Sequence, residues 1–151
     1  MATITITVSG IPETIAKLDY RPLIEIPLRN FLLKSAFAVE GKAKEFAPVD
    51  TGRLRASITS RIEETKATIA PTVHYGAHVE FGTRPHFPPP SALEPWARRH
   101  GMNAFAVARA ISRRGTRPHP YMVPAAQAAA PDISRFADEF ALEVETRWKQ
   151  P

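Results

Sequence analysis

Two histidines four residues apart, His74 and His78, have the spacing at which successive helical turns offer a pair of ligands to one metal ion. Tyr75 stands where a zinc protease would carry its glutamate, and no third histidine or carboxylate is placed beside the pair. Partly buried or interfacial histidines are therefore the more economical reading. His86 and His119 each follow a proline in a loop, where solvent-facing or interface roles are commoner. Glu80 lies between Val79 and Phe81 and lacks a visible partner for acid–base work; an ion pair with Arg53 or Arg55 is the simpler assignment. There is no G-x-S-x-G elbow, P-loop or dinucleotide glycine pattern. The chain has no cysteine, which removes disulfides, thiolate zinc sites and cysteine nucleophiles and suits a reducing compartment. Nothing in these residues asks for catalysis: no catalytic residue, cofactor, metal or small-molecule substrate is expected.

The other charged chemistry is arginine. Residues 1–80 hold 10 Lys/Arg against 9 Asp/Glu, residues 81–130 hold 7 against 1, and residues 131–151 hold 3 against 5. The middle segment thus carries +6, all of it arginine, and the C-terminal segment −2. Arg84, Arg98, Arg99, Arg113, Arg114 and Arg117 are the candidates for a shared basic face. Guanidinium forks suit phosphates and carboxylates alike, so the face fits DNA phosphates, an acidic neighbouring subunit, or simple solvation. Aromatic residues are thinly interleaved (Phe87, Trp96, Phe105, Tyr121), which gives little support to stacking on single strands.

The elements that must position these residues follow from periodicity. Residues 2–9 alternate Ile4, Ile6 and Val8 with threonines, the pattern of a half-buried strand with an edge-strand look; Gly10 and Pro12 end it, and a short helical stretch is expected around Glu13 to Leu18. Pro27 starts a long amphipathic helix over 28–47, stopped by Pro48 and weakened at Gly41. Asp50 or Thr51 caps a few helical residues of GRLRAS. Residues 57–73 read as a β-hairpin broken near Glu64-Thr65-Lys66, and HYGAHVEF as one or two helical turns closed by Gly82. RPHFPPP is extended, because each proline removes a donor and fixes φ. Two short helices come next. One lies near Ser91 to His100, with Ser91 and Glu94 at capping-box spacing although Pro95 favours a start at Glu94. The other runs from an Asn103 cap to Arg114, burying Phe105, Val107, Ala108 and Ile111, and ends at Gly115. A second long amphipathic helix runs from an Asp132 cap to about residue 149. With 151 residues one domain is expected. The fold class is α+β: a small, mostly antiparallel sheet packed by two long amphipathic helices, with a projecting short helical hairpin. No apolar run reaches the roughly 18 residues that span a bilayer, and the N-terminus lacks a charged n-region. A soluble chain without a cleaved signal or membrane partner is expected.

The pentapeptide GTRPH occurs twice, at 82–86 and 115–119. A solenoid needs about three or more similar units, so a single recurrence is not a structural repeat. Three other stretches, in order, carry a resemblance. Residues 47–58, APVDTGRLRASI, look like the APVDTGRLRxSI signature of the minor tail, or neck, proteins of long-tailed double-stranded DNA bacteriophages, a family of head–tail connector and tail-completion proteins. Residues 75–83, YGAHVEFGT, are similar to the family's YAxxVEFGT, and residues 120–125, PYMVPA, to its PFMxPA. The resemblance covers roughly residues 10 to 148. It carries over Asp50, Thr51, Gly52, Arg53, Leu54, Tyr75, Glu80, Phe81, Gly82, Thr83, Pro120 and Pro124 as motif positions with structural roles. Gly76, where the family usually has alanine, is a departure expected to loosen its helical turn slightly.

What the resemblance implies is a non-enzymatic subunit of the virion. It would assemble in the bacterial cytoplasm into a ring at the neck that joins the DNA-filled head to the tail tube. Its partners would be copies of itself and neighbouring head-closure, tail-terminator or tail-tube proteins, with transient contact to genomic DNA. The alternative is a sequence-nonspecific DNA-binding module using the arginine-rich segment 84–117. Shorter relatives run from EFGT almost directly into PFMxPA, whereas longer ones insert a helical pair. The two GTRPH copies would then bracket an excursion: a body of residues 1–82 and 120–151, with a projecting proline-rich loop and helical hairpin at 83–119. Residues 83–90 and 116–121 should run side by side at the base of that hairpin.

Overall fold

A computed structural model describes residues 2–9 and 21–149 of the chain; the ending at Gly10 and Pro12 and the short helix expected at Glu13 to Leu18 lie outside them. The described elements are β1 (Ile4–Thr7), α1 (Arg21–Phe46), α2 (Arg53–Ser57), β2 (Ile58–Ile62), β3 (Lys66–Pro71), α3 (Gly76–Phe81), α4 (Pro90–Arg99), α5 (Ala104–Arg114) and α6 (Met122–Trp148). The fold is α+β, with one small antiparallel sheet and long helices packed on it, as the periodicity predicts. By its contacts the chain forms two compact units, Met1–Gly76 with Tyr121–Pro151, and Ala77–Pro120.

In the first unit the strand order is β1-β3-β2, antiparallel throughout. The register sets Ile4 and Ser60 on either side of Ile69, and Ile6 and Ile62 on either side of Ala67. Period-2 alternation thereby puts Ile58, Ala67, Ile69 and Pro71 on the buried face. The N-terminal strand completes the chain's own sheet.

Helix α1 buries Leu28, Phe31, Leu32, Ala36, Val39 and Ala43, which recur at three- and four-residue steps and fill the core against the sheet and α6. Glu40 fastens α1 to the sheet: one carboxylate oxygen takes Lys44 Nζ at 2.6 Å and the other accepts from Ser60 Oγ of β2 at 2.6 Å. Burial alone would raise the Glu40 pKa, but the Lys44 and Ser60 hydrogen bonds and the Lys44 charge outweigh it and hold the carboxyl below its usual value. Along the α1–α6 seam, Phe31 meets Phe140 with ring centroids 5.8 Å apart, and Lys34 reaches Glu139 at 2.7 Å.

Both long helices begin earlier than expected. Helix α1 runs through Pro27, whose ring is fully buried beside Leu28, so packing outweighs the one helical hydrogen bond that the imino acid forfeits. Helix α6 starts at Met122 and continues through Pro131. Pro124 falls in its first turn, where no donor is needed, and the alanine-rich run that follows favours helix strongly while burying Ala125 and Ala129. Asp132 is therefore no cap; it lies in mid-helix, paired with Arg135 at 2.9 Å.

The APVDTGRLRASI stretch turns α1 into the sheet. The N-cap position of α2 is held by Gly52 at φ 76°, which has no side chain to cap with, and not by Asp50 or Thr51. Leu54 is buried as an anchor, and the Arg55 Nε donates to the Lys44 carbonyl at 2.8 Å, satisfying one of the open carbonyls at the end of α1 with a cation on the negative end of the helix dipole.

Candidate assembly interface

The second unit is built around the two GTRPH copies, and each begins by ending a helix. Gly82 follows α3 and Gly115 follows α5, both at φ 68°, the left-handed backbone in which a side chain is strained. The next residues pair: Thr83 N–H donates to the Thr116 carbonyl and Thr116 N–H to the Thr83 carbonyl, each at 3.2 Å, as one isolated antiparallel bridge. The two hydroxyls lie 3.0 Å apart, and Thr116 N–H also reaches Thr83 Oγ1 at 3.1 Å. A Cβ on either glycine would overlap the threonine carbonyl of the other copy. Glycine is needed at both positions because the backbones touch, and the repeat is a clasp between the copies. Of the expected side-by-side run of 83–90 with 116–121, the structure shows this one pair; because the bridge is antiparallel, the residues after Thr116 continue against α3 and not against the proline-rich arm. His119 N–H extends it by donating to the Val79 carbonyl at 2.8 Å, while the ring Nδ1 of His86 lies 2.9 Å from the Arg84 carbonyl.

Beyond the clasp, α4 and α5 form the hairpin. Helix α4 starts at Pro90, with proline in the first turn and Pro89 as N-cap. Neither the Ser91/Glu94 box nor a start at Glu94 is used, because the proline ring already fixes a helical φ without needing a donor. Helix α5 has the expected cap, Asn103 Oδ1 accepting from Ala106 N–H at 3.1 Å. Ala97 and Ala108 are the buried residues of the pair. Phe105 is not buried as expected: it is 58% exposed, edge-to-face with the 53% exposed Phe87, their centroids 6.0 Å apart.

The predicted arginines separate into two groups. Arg98 pairs with Glu94 at 3.6 Å along α4, and Arg99 also has a partner. Arg84, Arg113, Arg114 and Arg117 are exposed and have no carboxylate partner among the described residues. Arg109, which the sequence reading left out of the set, joins them: it is exposed and unpaired one turn before Arg113 on α5. Its signal was the i,i+4 spacing. In the other unit Lys34, Lys42, Lys44, Arg61, Lys66, Arg135, Arg147 and Lys149 each face a carboxylate, whereas Arg29, Arg53 and Arg55 face none among the described residues. Five unpaired guanidinium groups on one small unit leave a strong positive field for an outside partner.

The remaining motif residues differ in exposure. Glu80 is 2% exposed, whereas Phe81 beside it is 63% exposed. Tyr75 is half-buried, and Asp50, Thr51, Arg53 and Pro120 are exposed. Pro124 occupies the first turn of α6. His74 lies in the turn before α3 and His78 within α3, so they do not share a helix as a ligand pair would. Among the described residues no three His, Asp or Glu side chains gather as a metal-ligand set.

Gly76 also has a reason that the motif alone does not show. A Cβ there would stand 2.6 Å from Pro71 Cγ and 2.9 Å from the Tyr121 hydroxyl, and that hydroxyl donates to the Gly76 carbonyl at 3.2 Å. The family pattern has alanine and phenylalanine at these two positions. Here glycine makes room for the extra hydroxyl, so the two departures belong together, and the turn is tied instead of loosened.

Residues 25–82 match the HK97-gp10-like family model, described as "Bacteriophage HK97-gp10, putative tail-component". The matched segment runs from α1 to the first clasp glycine and contains the APVDTGRLRASI motif and all but the last residue of YGAHVEFGT, so over this part the chain is similar to bacteriophage tail components. This agrees with the tail and neck family to which the motifs point. Comparison with curated proteins and with solved structures gives no match. Among the described residues no helix is long and apolar enough to cross a membrane.

Proposed function

We propose that this chain is a non-catalytic structural subunit of a phage or phage-like virion, forming a ring at the neck between head and tail tube. Its partners are further copies of itself and the adjoining head-closure, tail-terminator or tail-tube proteins. In this reading residues 1–76 and 121–151 are the body, and residues 77–120 are the docking element. The observation that supports it best is the clasped hairpin, whose exposed arginines Arg84, Arg109, Arg113, Arg114 and Arg117 have no carboxylate partner among the described residues. The proline-rich arms are poor in hydrogen-bond donors and already stiff, so docking orders little additional backbone. Reversing charge at Arg113 and Arg117 is expected to leave the circular dichroism and melting of the isolated protein unchanged, yet to block the joining of heads to tails. Normal infectious particles from that variant would refute the docking role.

The same five arginines favour a second reading, in which they contact genomic DNA phosphates as the DNA passes the ring. Binding would then weaken steeply with salt, as counterion release requires. Absence of duplex retention in a low-salt filter-binding titration removes it.

A further inference from the structure

Resting on the ring reading above, the geometry points to the surface that receives the hairpin: we propose that α5 of one copy docks antiparallel on the outward face of α6 in the next. The body's C-terminal helix is the complementary segment in charge, since residues 121–149 hold 3 Lys/Arg against 5 Asp/Glu, whereas Ala77–Pro120 holds 7 against 2. Four of those carboxylates are already answered: Asp132 by Arg135, Glu139 by Lys34, Glu143 by Arg147 and Glu145 by Lys149. Asp138 is exposed and has no ion-pair partner among the described residues. One turn further on, Leu142 is 65% exposed at the edge of a shallow groove that it shares with Glu139, Glu143, Thr146 and Arg147.

The spacing of this face mirrors that of α5. There Phe105, 58% exposed, precedes the unpaired Arg109 by four residues; on α6 the unpaired Asp138 precedes Leu142 by four. Four residues rise about 6 Å on a helix, and the order of apolar and charged residue is opposite on the two helices. Laid antiparallel, they set Phe105 against Leu142 and Arg109 against Asp138 together. Each contact supplies what the other helix lacks, an apolar cover or a counter-charge. The exposed Phe87–Phe105 pair favours a protein surface over a DNA backbone, which offers no apolar complement. Because the two patches differ, the contact is head-to-tail and propagates into a ring when its rotation closes.

The chain has no cysteine, so Phe105→Cys and Leu142→Cys can be introduced together and joined with a short bismaleimide, in concentrated protein and in particles. A ladder of covalent multimers is expected from the double-cysteine chain and not from either single one. Adding Arg109→Asp or Asp138→Arg should abolish the ladder, and adding both should restore it, since the pair is then merely reversed. If multimers of the native protein form by mass but residues 105 and 142 never cross-link, or if the charge swap fails to rescue, this docking is wrong while the ring reading stands. If no multimer forms in solution or in particles, both fall. Salt-sensitive duplex binding that Arg109→Asp abolishes and Asp138→Arg does not restore would assign the arginines to DNA and overturn the proposal.

Discussion

Substituting Gly115 by alanine tests whether the GTRPH repeat is a clasp or an incidental recurrence. The residue sits at φ 68° and ψ −160°, a backbone essentially confined to glycine, and moving an L-residue into it costs about 1–3 kcal/mol. The added Cβ would also overlap the Thr83 carbonyl oxygen and lie 2.9 Å from the Arg84 carbonyl carbon. These neighbours are backbone, so no side chain can rotate away; the facing segment itself must retreat. That retreat breaks the reciprocal 3.2 Å bonds between Thr83 and Thr116, each with a net contribution of about 1 kcal/mol. The sum is about 3–5 kcal/mol, or at least roughly a hundredfold in the opening equilibrium. Amide hydrogen exchange at Thr83 and Thr116 reads that equilibrium directly. Gly101→Ala is the control, because it has a similar φ of 64° but nothing within 4 Å of its added Cβ, and so carries the strain alone. The reasoning is refuted if Gly115→Ala accelerates exchange at the two threonines no more than Gly101→Ala does.

Two further outcomes are expected. Gly76→Ala should destabilise the protein by about 1–3 kcal/mol through overpacking against Pro71 and the Tyr121 hydroxyl, and Tyr121→Phe by about 1 kcal/mol through loss of its hydrogen bond. In denaturant unfolding the double variant should cost clearly less than the sum; strict additivity would show that the two positions do not share a space. Glu40 has a folded pKa below its ordinary 4.5, so the unfolded chain takes up its proton first as pH falls. Its stabilising contribution is complete above pH 4.5 and disappears as pH drops through the lower folded value. Glu40→Gln should therefore flatten part of the acid-side decline in urea midpoint, and an unchanged decline below pH 4.5 would contradict the role given to Lys44 and Ser60.

Much of the body was legible because its signals are local. The alternation in β1, the three- and four-residue steps of α1 and the turn between β2 and β3 each follow from a short window of sequence and from which face must be dry. Proline placement read less well. Pro27 and Pro131 look like boundaries in a window that sees only a missing donor, yet both lie inside helices, because packing or alanine-rich flanks outweigh one hydrogen bond. Cap positions read no better. That of α2 falls on Gly52 rather than on Asp50 or Thr51, and Asp132 lies inside the longer α6, paired with Arg135.

The arginine set was found by composition, and its division was not. Sequence counts charges, whereas pairing depends on where each carboxylate ends up; Arg98 meets Glu94 on its own helix, and Arg109, Arg113 and Arg117 meet none among the described residues. The repeated pentapeptide separates the two levels most clearly. Sequence alone determined that each copy ends a helix and departs in an extended form, since glycine and proline impose those conformations wherever they stand. The family resemblance set the two copies near each other, but only the tertiary structure decided that Thr83 meets Thr116 and that the contact excludes a Cβ, because how closely two backbones approach depends on the path between them.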